Sequence, residues 1–398
     1  EPFDRAAGFY REALARDATF ALAAARLARS QLWRHWFVTP LGPEELAEVK
    51  QIVDRALALA PDLADAHMSL GLFYYHGHRQ YEQALAAFRR VLELQPNNAQ
   101  ARLYSAYVYR RQGQWERSVG EMRLAEALDP RDAAVPGNIA ASYVSVRQWS
   151  DAKRAASRSL ALDPQNVVGQ LALLQSCVNG GGSTEEARRA LAPLPRSSAL
   201  TTNAIRGTVS NIIEDFTYLN IMERDFDGAL KLCDESTAVP ADRFAKQMGR
   251  VAIRVLAGDT VGDPVETEEA RVLLEARLAV RPADAFTLAQ LSWVYLALGR
   301  NADALRSAHA AADLLPVERD AFGGPAFAVG LAQIQARAGE PHEAVNMLRE
   351  LLAIPAGIAI SINRLKLDPV WDPIRDNADF QQLLAGGESI GTLPAYGL

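Results

Sequence analysis

The sequence predicts an all-α protein built from stacked helix pairs. Three observations carry this expectation. Helix formers (Ala, Leu, Arg, Glu) dominate, and β-branched residues are scattered instead of clustered. Pro61, Pro96, Pro130 and Pro164 stand 35, 34 and 34 residues apart, a fixed period that signals a repeat architecture. Between these prolines one pattern returns: a small residue, an aromatic three positions later, then alanines in the second half of the unit.

At the N-terminal end, Phe3 to Asp17, with Ala6, Tyr10 and Ala13, reads as the second helix of a pair whose first helix is absent. A lone helix leaves an unpaired face. The chain opens on Glu1 instead of Met, which reads as a processed form or an excised fragment. Helix pairs are then expected to start near Ala21, Ala64, Ala99, Ala133, Val167, Arg206, Arg243, Ala285 and Pro325. Residues 64–98, 99–132, 133–166 and 285–318 carry the pattern most clearly, and residues 167–284 are degenerate.

In the clear units Gly71, Ala106, Ala140 and Ser292 let two antiparallel helices approach. Tyr74, Tyr109, Tyr143 and Tyr295 pack one turn further along the same face. Gly113 and Gly299 suit the turn between first helix (A) and second helix (B), where a left-handed residue is needed. The unit-ending proline stops helix B because it has no N–H to continue the ladder. Three insertions interrupt the metre: about nine residues between Trp33 and Leu46, then Gly258 to Pro264, and Arg319 to Gly324. Such insertions in repeat proteins map to one face, often a binding face, and more often are tolerated surface loops.

After Pro355 the metre stops. Leu365-Lys366-Leu367-Asp368-Pro369-Val370-Trp371-Asp372-Pro373-Ile374-Arg375-Asp376 comes next, then Phe380 and Leu383-Leu384. Two Asp-Pro steps should give extended or turn dipeptides, each Asp capping the residues after it. Residues 356–398 are therefore expected to cap the last repeat of a single solenoid spanning 1–355, with a loose Gly-rich tail from Gly386. A sharper alternative makes Trp371 and Arg375 a docking motif.

The repeated pattern resembles the tetratricopeptide repeat, a helix–turn–helix unit of 34 residues. The resemblance implies a right-handed α-solenoid of about nine helix pairs with a C-terminal capping segment. The ending resembles the C-terminal region of bacterial multidomain signalling proteins, where such arrays come after an adenylate cyclase, a serine/threonine kinase or a winged-helix domain. None of those effector domains is recognisable here, so none of their activities carries over.

Composition and motifs narrow the function. Residues 1–200 hold 24 basic and 21 acidic side chains, and the remainder 18 and 27, so neither half has the positive field that phosphate binding requires. Nucleic acid is not expected as a partner. Cys177 and Cys233 form neither a disulfide framework nor a zinc site, and read as buried small hydrophobes. The charge-free stretch Pro164 to Thr184 is broken by polar residues and Gly180-Gly181-Gly182, so no membrane span is expected and a reducing, cytoplasmic setting is. Nucleotide-cradle, GxSxG and HExxH motifs are absent, so neither an enzyme nor a cofactor is expected. His67, His76 and His78 lack a third ligand of matching direction, and read as solvated turn histidines.

In the tetratricopeptide fold the A helices line a concave groove through the second, fifth, ninth, twelfth and thirteenth positions of each unit. The resemblance thereby places Met68, Leu72 and Tyr75, then Leu103, Tyr107, Arg110 and Arg111, then Phe286, Trp293 and Arg337 in that groove. The Lys and Asn of carboxylate-gripping co-chaperones and the asparagine ladder of glycosyltransferase repeats are missing. What remains is an apolar, aromatic groove with arginines, suited to an amphipathic helix or an extended peptide. The expected function is a non-catalytic protein-interaction scaffold within a signalling protein. The alternative is an intramolecular module that controls an attached effector, with self-association open to either. For the groove side chains the alternative is packing between neighbouring A helices or against a lid. As groove residues Tyr107 and Trp293 would be dispensable for folding, and as packed residues their loss would cost much stability.

Overall fold

A computed structural model describes residues 2–195, 215–235, 243–259 and 264–397. Among them every regular element is helical, and the all-α, helix-pair solenoid architecture is what the chain forms. The chain divides into two compact units, Glu1–Val135 and Pro136–Leu398.

In the first unit, α1 (Pro2–Arg16) precedes the pairs α2 (Ala21–Phe37) with α3 (Pro43–Leu59), α4 (Ala64–Leu72) with α5 (Tyr81–Leu94), and α6 (Ala99–Arg111) with α7 (Trp115–Leu128). The next pairs are α8 (Ala134–Ser145) with α9 (Trp149–Leu162), α10 (Val167–Gln175) with α11 (Thr184–Leu191), and α12 (Asp215–Met222) with α13 (Phe226–Glu235). Then come α14 (Arg243–Leu256) with α15 (Pro264–Val280), α16 (Ala285–Ala297) with α17 (Asn301–Leu314), and α18 (Gly324–Ala338) with α19 (Pro341–Leu352). Eight of the nine expected starts fall within one residue of these helices; the ninth, Arg206, lies outside the described residues.

The local chemistry explains the boundaries. Asn98, Asn166 and Asp284, two residues beyond Pro96, Pro164 and Pro282, accept backbone N–H bonds and so cap the next A helix. The close approach expected at Gly71 is real, because a Cβ there would lie 2.2 Å from the Phe88 ring. Around that contact the first unit buries Leu32, Val49, Val53, Leu72 and Val91 almost completely.

The A–B turn needs one residue at positive φ, and Gly113, Gly182, Gly258, Gly299 and Gly339 supply it. Arg79, Arg147 and Arg224 hold the same position, at φ of 50, 60 and 61°. The turn residue lies 14 positions beyond the helix start from Ala99 to Gly113, but 15 from Ala64 to Arg79 and from Val167 to Gly182. In those two longer units the extra residue is taken up in a π-helical turn, Phe73–Gly77 and Ser176–Gly180.

The C-terminal segment departs most from expectation. It does meet the last pair: Arg337 of α18 donates to the Pro369 carbonyl, and His342 of α19 lies 3.1 Å from Asp379. It also runs back across the A–B turns of three earlier pairs. Gly357 N–H donates to Ser145 O, Asn179 donates to Gly357 O, and Asn363 donates to Gly180 O. Arg224 grips the Asp372 carboxylate at 2.7 Å. Arg147, 1% exposed, donates to the carbonyls of Ile354 (2.7 Å), Ser389 (2.9 Å) and Leu351 (3.1 Å), and reaches Ile360 O at 3.4 Å. Its Nε also lies 3.5 Å from Glu388.

Within the segment, α20 (Ile362–Leu367) leads into a 3-10 helix (Pro369–Ile374) and α21 (Ala378–Ala385). Asp368 caps the 3-10 helix as expected. Asp372 lies inside that helix and pairs with Arg224 and Arg375 instead. Trp371 is buried to 1% exposure, which removes it as a docking motif. The tail is not loose either, since Gly391, Leu393 and Tyr396 all bond to residues 146–151.

Arg147→Ala keeps the left-handed backbone but removes every carbonyl bond, and should cost about 3–5 kcal/mol. Arg147→Gly relieves the backbone and should recover about 1 kcal/mol of that loss. Denaturant titration of both variants checks the order, and equal midpoints would contradict strain at this turn.

Candidate functional site

Burial removes most of the expected groove residues from any open surface. Met68, Leu72, Tyr75, Leu103, Arg110, Arg111 and Trp293 are all at most 9% exposed. Their burial has identifiable causes. The Trp33 indole donates to the Tyr104 hydroxyl at 2.9 Å, joining α2 directly to α6. That bridge leaves the intervening helix no open face at Met68 or Leu72. The Arg111 guanidinium lies 5.1 Å from the Trp36 ring and 5.6 Å from the Tyr75 ring, and donates to the Tyr75 hydroxyl at 2.7 Å. These are stacked, packed contacts inside the first unit.

In the second unit α18 is buried on every side, from Gly324 to Ala336. Arg337 spends its guanidinium on the Val255 and Pro369 carbonyls. Phe286 keeps partial exposure, its ring 5.2 Å from Phe327. Tyr107 is likewise half-buried, with the Arg110 guanidinium 5.3 Å over its ring.

A partly exposed aromatic row does remain on the A helices of the first unit. It consists of Trp33, Tyr104 and Tyr107, with Arg29 beside it. The Arg29 guanidinium sits 5.3 Å over Trp33, and its Nη2 lies 3.7 Å from Asp65. Tyr104 and Tyr107 meet edge to face at 5.8 Å. Burial pushes the Tyr104 hydroxyl up to about 12, and raises Tyr107 further, with Arg110 opposing, so both phenols stay neutral donors. The arrangement offers flat apolar faces with fixed hydrogen-bond donors and a guanidinium.

Arg29 and Trp33 escaped the sequence reading because the positional rule was applied to later units only. Counted from Ala21 they are the ninth and thirteenth residues of their pair, so the same rule finds them. Tyr104 is the sixth residue of its unit, where the rule does not look.

His76 differs from a solvated turn residue and His67 is partly buried, whereas His78 stays exposed in the turn. His76 is 3% exposed and stacks on Trp36 with centroids 4.5 Å apart. His67 contacts the Pro61 carbonyl at 2.7 Å, and His78 packs edge-on to Phe73. Among the described residues no three metal-ligating side chains converge. Both cysteines are free and buried as expected, and burial pushes the Cys233 thiol up to about 11. No helix among the described residues is long and apolar enough to cross a membrane.

Burial first, then the charges of Arg111, His35 and Arg79, hold His76 well below its ordinary 6.5. The unfolded chain therefore takes up a proton near 6.5 that the folded one refuses. The first unit should lose stability as pH falls below that value, by at most about 1.4 kcal/mol per pH unit from this group. Urea midpoints at about pH 7.5 and 5.5 should show a smaller drop in His76→Phe than in the wild type. Trp293→Ala should cost about 3–5 kcal/mol in the same titration, and a cost under about 1 would return Trp293 to the surface.

Residues 75–137 match the tetratricopeptide repeat family. No curated protein sequence matches the chain. Among solved structures, a thermophilic tetratricopeptide-repeat protein of Thermus thermophilus is 19% identical, covering 44% of this chain and 91% of its own, with a TM-score of 0.39. PilF of Pseudomonas aeruginosa is 15% identical over 71% of this chain and 98% of its own, at a TM-score of 0.35. Human IFIT1, as a dimer with PPP-AAAA, is 15% identical over 79% and 69%, at 0.44.

Proposed function

We propose that this chain is a non-catalytic protein-interaction scaffold, whose open recognition surface is the A-helix face of the first unit. One observation carries the reading: Trp33 and Tyr104 are locked together by a hydrogen bond across two helices, with Arg29 stacked alongside. Rings held this way lose little side-chain freedom on binding, which is what an aromatic anchor needs. Asp65 offsets part of the arginine charge, since it pairs with both Arg26 and Arg29. An extended peptide or an amphipathic helix with apolar anchors fits this chemistry better than a polyanion. The resemblance of residues 365–384 to the ends of bacterial signalling proteins supports placing the scaffold in such a protein, in the cytoplasm.

A random-peptide display selection against the whole chain should enrich a shared sequence pattern. Fluorescence polarisation should then show at least a tenfold weaker affinity for Trp33→Ala, with far-UV circular dichroism unchanged. Equal binding by the variant, or no enrichment, would sink the reading.

A further inference from the structure

The last residues of the chain are recognised along their backbone by α8 and α9, on the second unit. After the exposed pair Gly386-Gly387, Ser389 N–H donates to Leu352 O, and Gly391 N–H donates to Val146 O at 2.8 Å. Gln148 then reads both main-chain groups of Leu393: its Oε1 accepts from the N–H at 2.6 Å, and its Nε2 donates to the carbonyl at 2.9 Å. The Tyr143 hydroxyl donates to Pro394 O. Asp151 accepts from Tyr396 N–H at 2.7 Å, and Arg154 donates to Tyr396 O at 3.1 Å.

Side-chain selection is superimposed on this backbone reading. A Cβ on Gly391 would lie 2.7 Å from Val146 Cβ, so only glycine fits there. Leu393 is buried to 6% exposure, and the Tyr396 ring meets Tyr143 edge-on at 6.3 Å. Pro394 has its φ fixed in advance, which lowers the cost of holding the segment extended. Thr392 and Pro394 face solvent, and Ile390 is 62% exposed. The segment is thus a linear ligand laid on the repeat edge, with one deeply buried anchor.

We propose that this edge of α8 and α9 is a peptide-recognition site for an extended Gly-x-Leu-Pro-x-Tyr segment, and that the chain's own tail is its resident, exchangeable ligand. Exchange is a consequence of the contacts. A segment anchored by one buried side chain and surface hydrogen bonds opens locally at far less than the cost of global unfolding. The short glycine link keeps the tail at a high effective concentration, so a competitor must be present in excess or the tail must be weakened. The site shares no residue with the Trp33 and Tyr104 row, and its test does not depend on theirs.

The probe is a fluorescein-labelled peptide of residues 387–398. It should bind the full-length Gly391→Val chain at least tenfold more tightly than the wild type, because that substitution evicts the resident tail. Adding Gln148→Ala to that chain should weaken the peptide at least tenfold, and a peptide with valine at the Gly391 position should not bind. Binding that survives Gln148→Ala, or no preference for the Gly391→Val chain, would overturn the proposal. The wild type supplies a second measurement that needs no variant to fold. Millimolar unlabelled peptide should lower the hydrogen-exchange protection of the Gly391, Leu393 and Tyr396 amides and leave helix amides unchanged. Unaltered protection of those three amides would equally overturn exchange.

Discussion

A guanidinium holding backbone carbonyls is the interaction on which the second unit depends. Arg147 is fully buried with one close carboxylate, Glu388 at 3.5 Å, and its donors point mainly at carbonyls from three stretches of one segment. Burial pulls its pKa down, with Glu388 opposing, yet a guanidinium has ample margin to stay charged. Carbonyls at 351, 354, 360 and 389 would otherwise need four separate donors in a region with little water. One planar side chain with five N–H groups solves that problem and fixes the path of the segment together. The strained φ at Arg147 is tolerated because these partners over-determine it.

From that anchor comes the difference between the two units as binding surfaces. In the second, the C-terminal segment covers the ends of the A helices, and α18 has no open face left. Arg364 and Asp368, both at most 5% exposed, form an ion pair at 3.5 Å within it, beside Tyr218. Surface that an open solenoid would offer to a partner is here interior. In the first unit rings and guanidinia cover most residues on the A helices, which leaves a smaller, partly exposed aromatic row.

Periodicity made the pairs legible, because proline, glycine and capping residues act locally and repeat with the unit. Among the described residues, the degenerate pairs expected from Val167 and Arg243 also start at those residues, so these starts survived the loss of the motif residues. The groove was much less legible. A positional rule says which way a residue points from its own helix, and nothing about what another element lays over it. Leu72 and Trp293 obey the rule and are still buried. The C-terminal segment was read as a cap because Trp371 and Phe380 look like a local apolar cluster, and they do pack together at 6.3 Å. Its return across residues 143–182 rests largely on side chains such as Arg147, Gln148, Asn179 and Asn363 bonding to main-chain groups, so no complementary pair of side chains marks it in the sequence. The acidic excess of the second half is similarly local: Arg250 pairs with Asp234 and Glu266, Arg271 with Glu268 and Glu275, and Arg188 with Glu223.

One sequence signal for the return was nevertheless present at the A–B turn. This position favours a left-handed residue, and at Gly258, Gly299 and Gly339, where an added Cβ would meet nothing within 4 Å, glycine takes it, as it does at Gly182 beside Asn363. Arginine takes it at three places, against a backbone cost of about 1–3 kcal/mol each. At two of the three, the side chain grips something outside the repeat metre. Arg147 holds residues 351–360 and 389, and Arg224 holds Leu367 and Asp372. At the third, the Arg79 guanidinium lies 5.4 Å over the ring of Trp36, in the last turn of α2. The side chain at a left-handed turn residue leaves the pair at its edge, so it contacts only what is laid along that edge. At Arg147 and Arg224 a bulky, charged residue standing where glycine is cheaper thus accompanies a docked non-repeat element. In this chain Arg147 and Arg224 trace the route of the C-terminal segment before any of its own residues do.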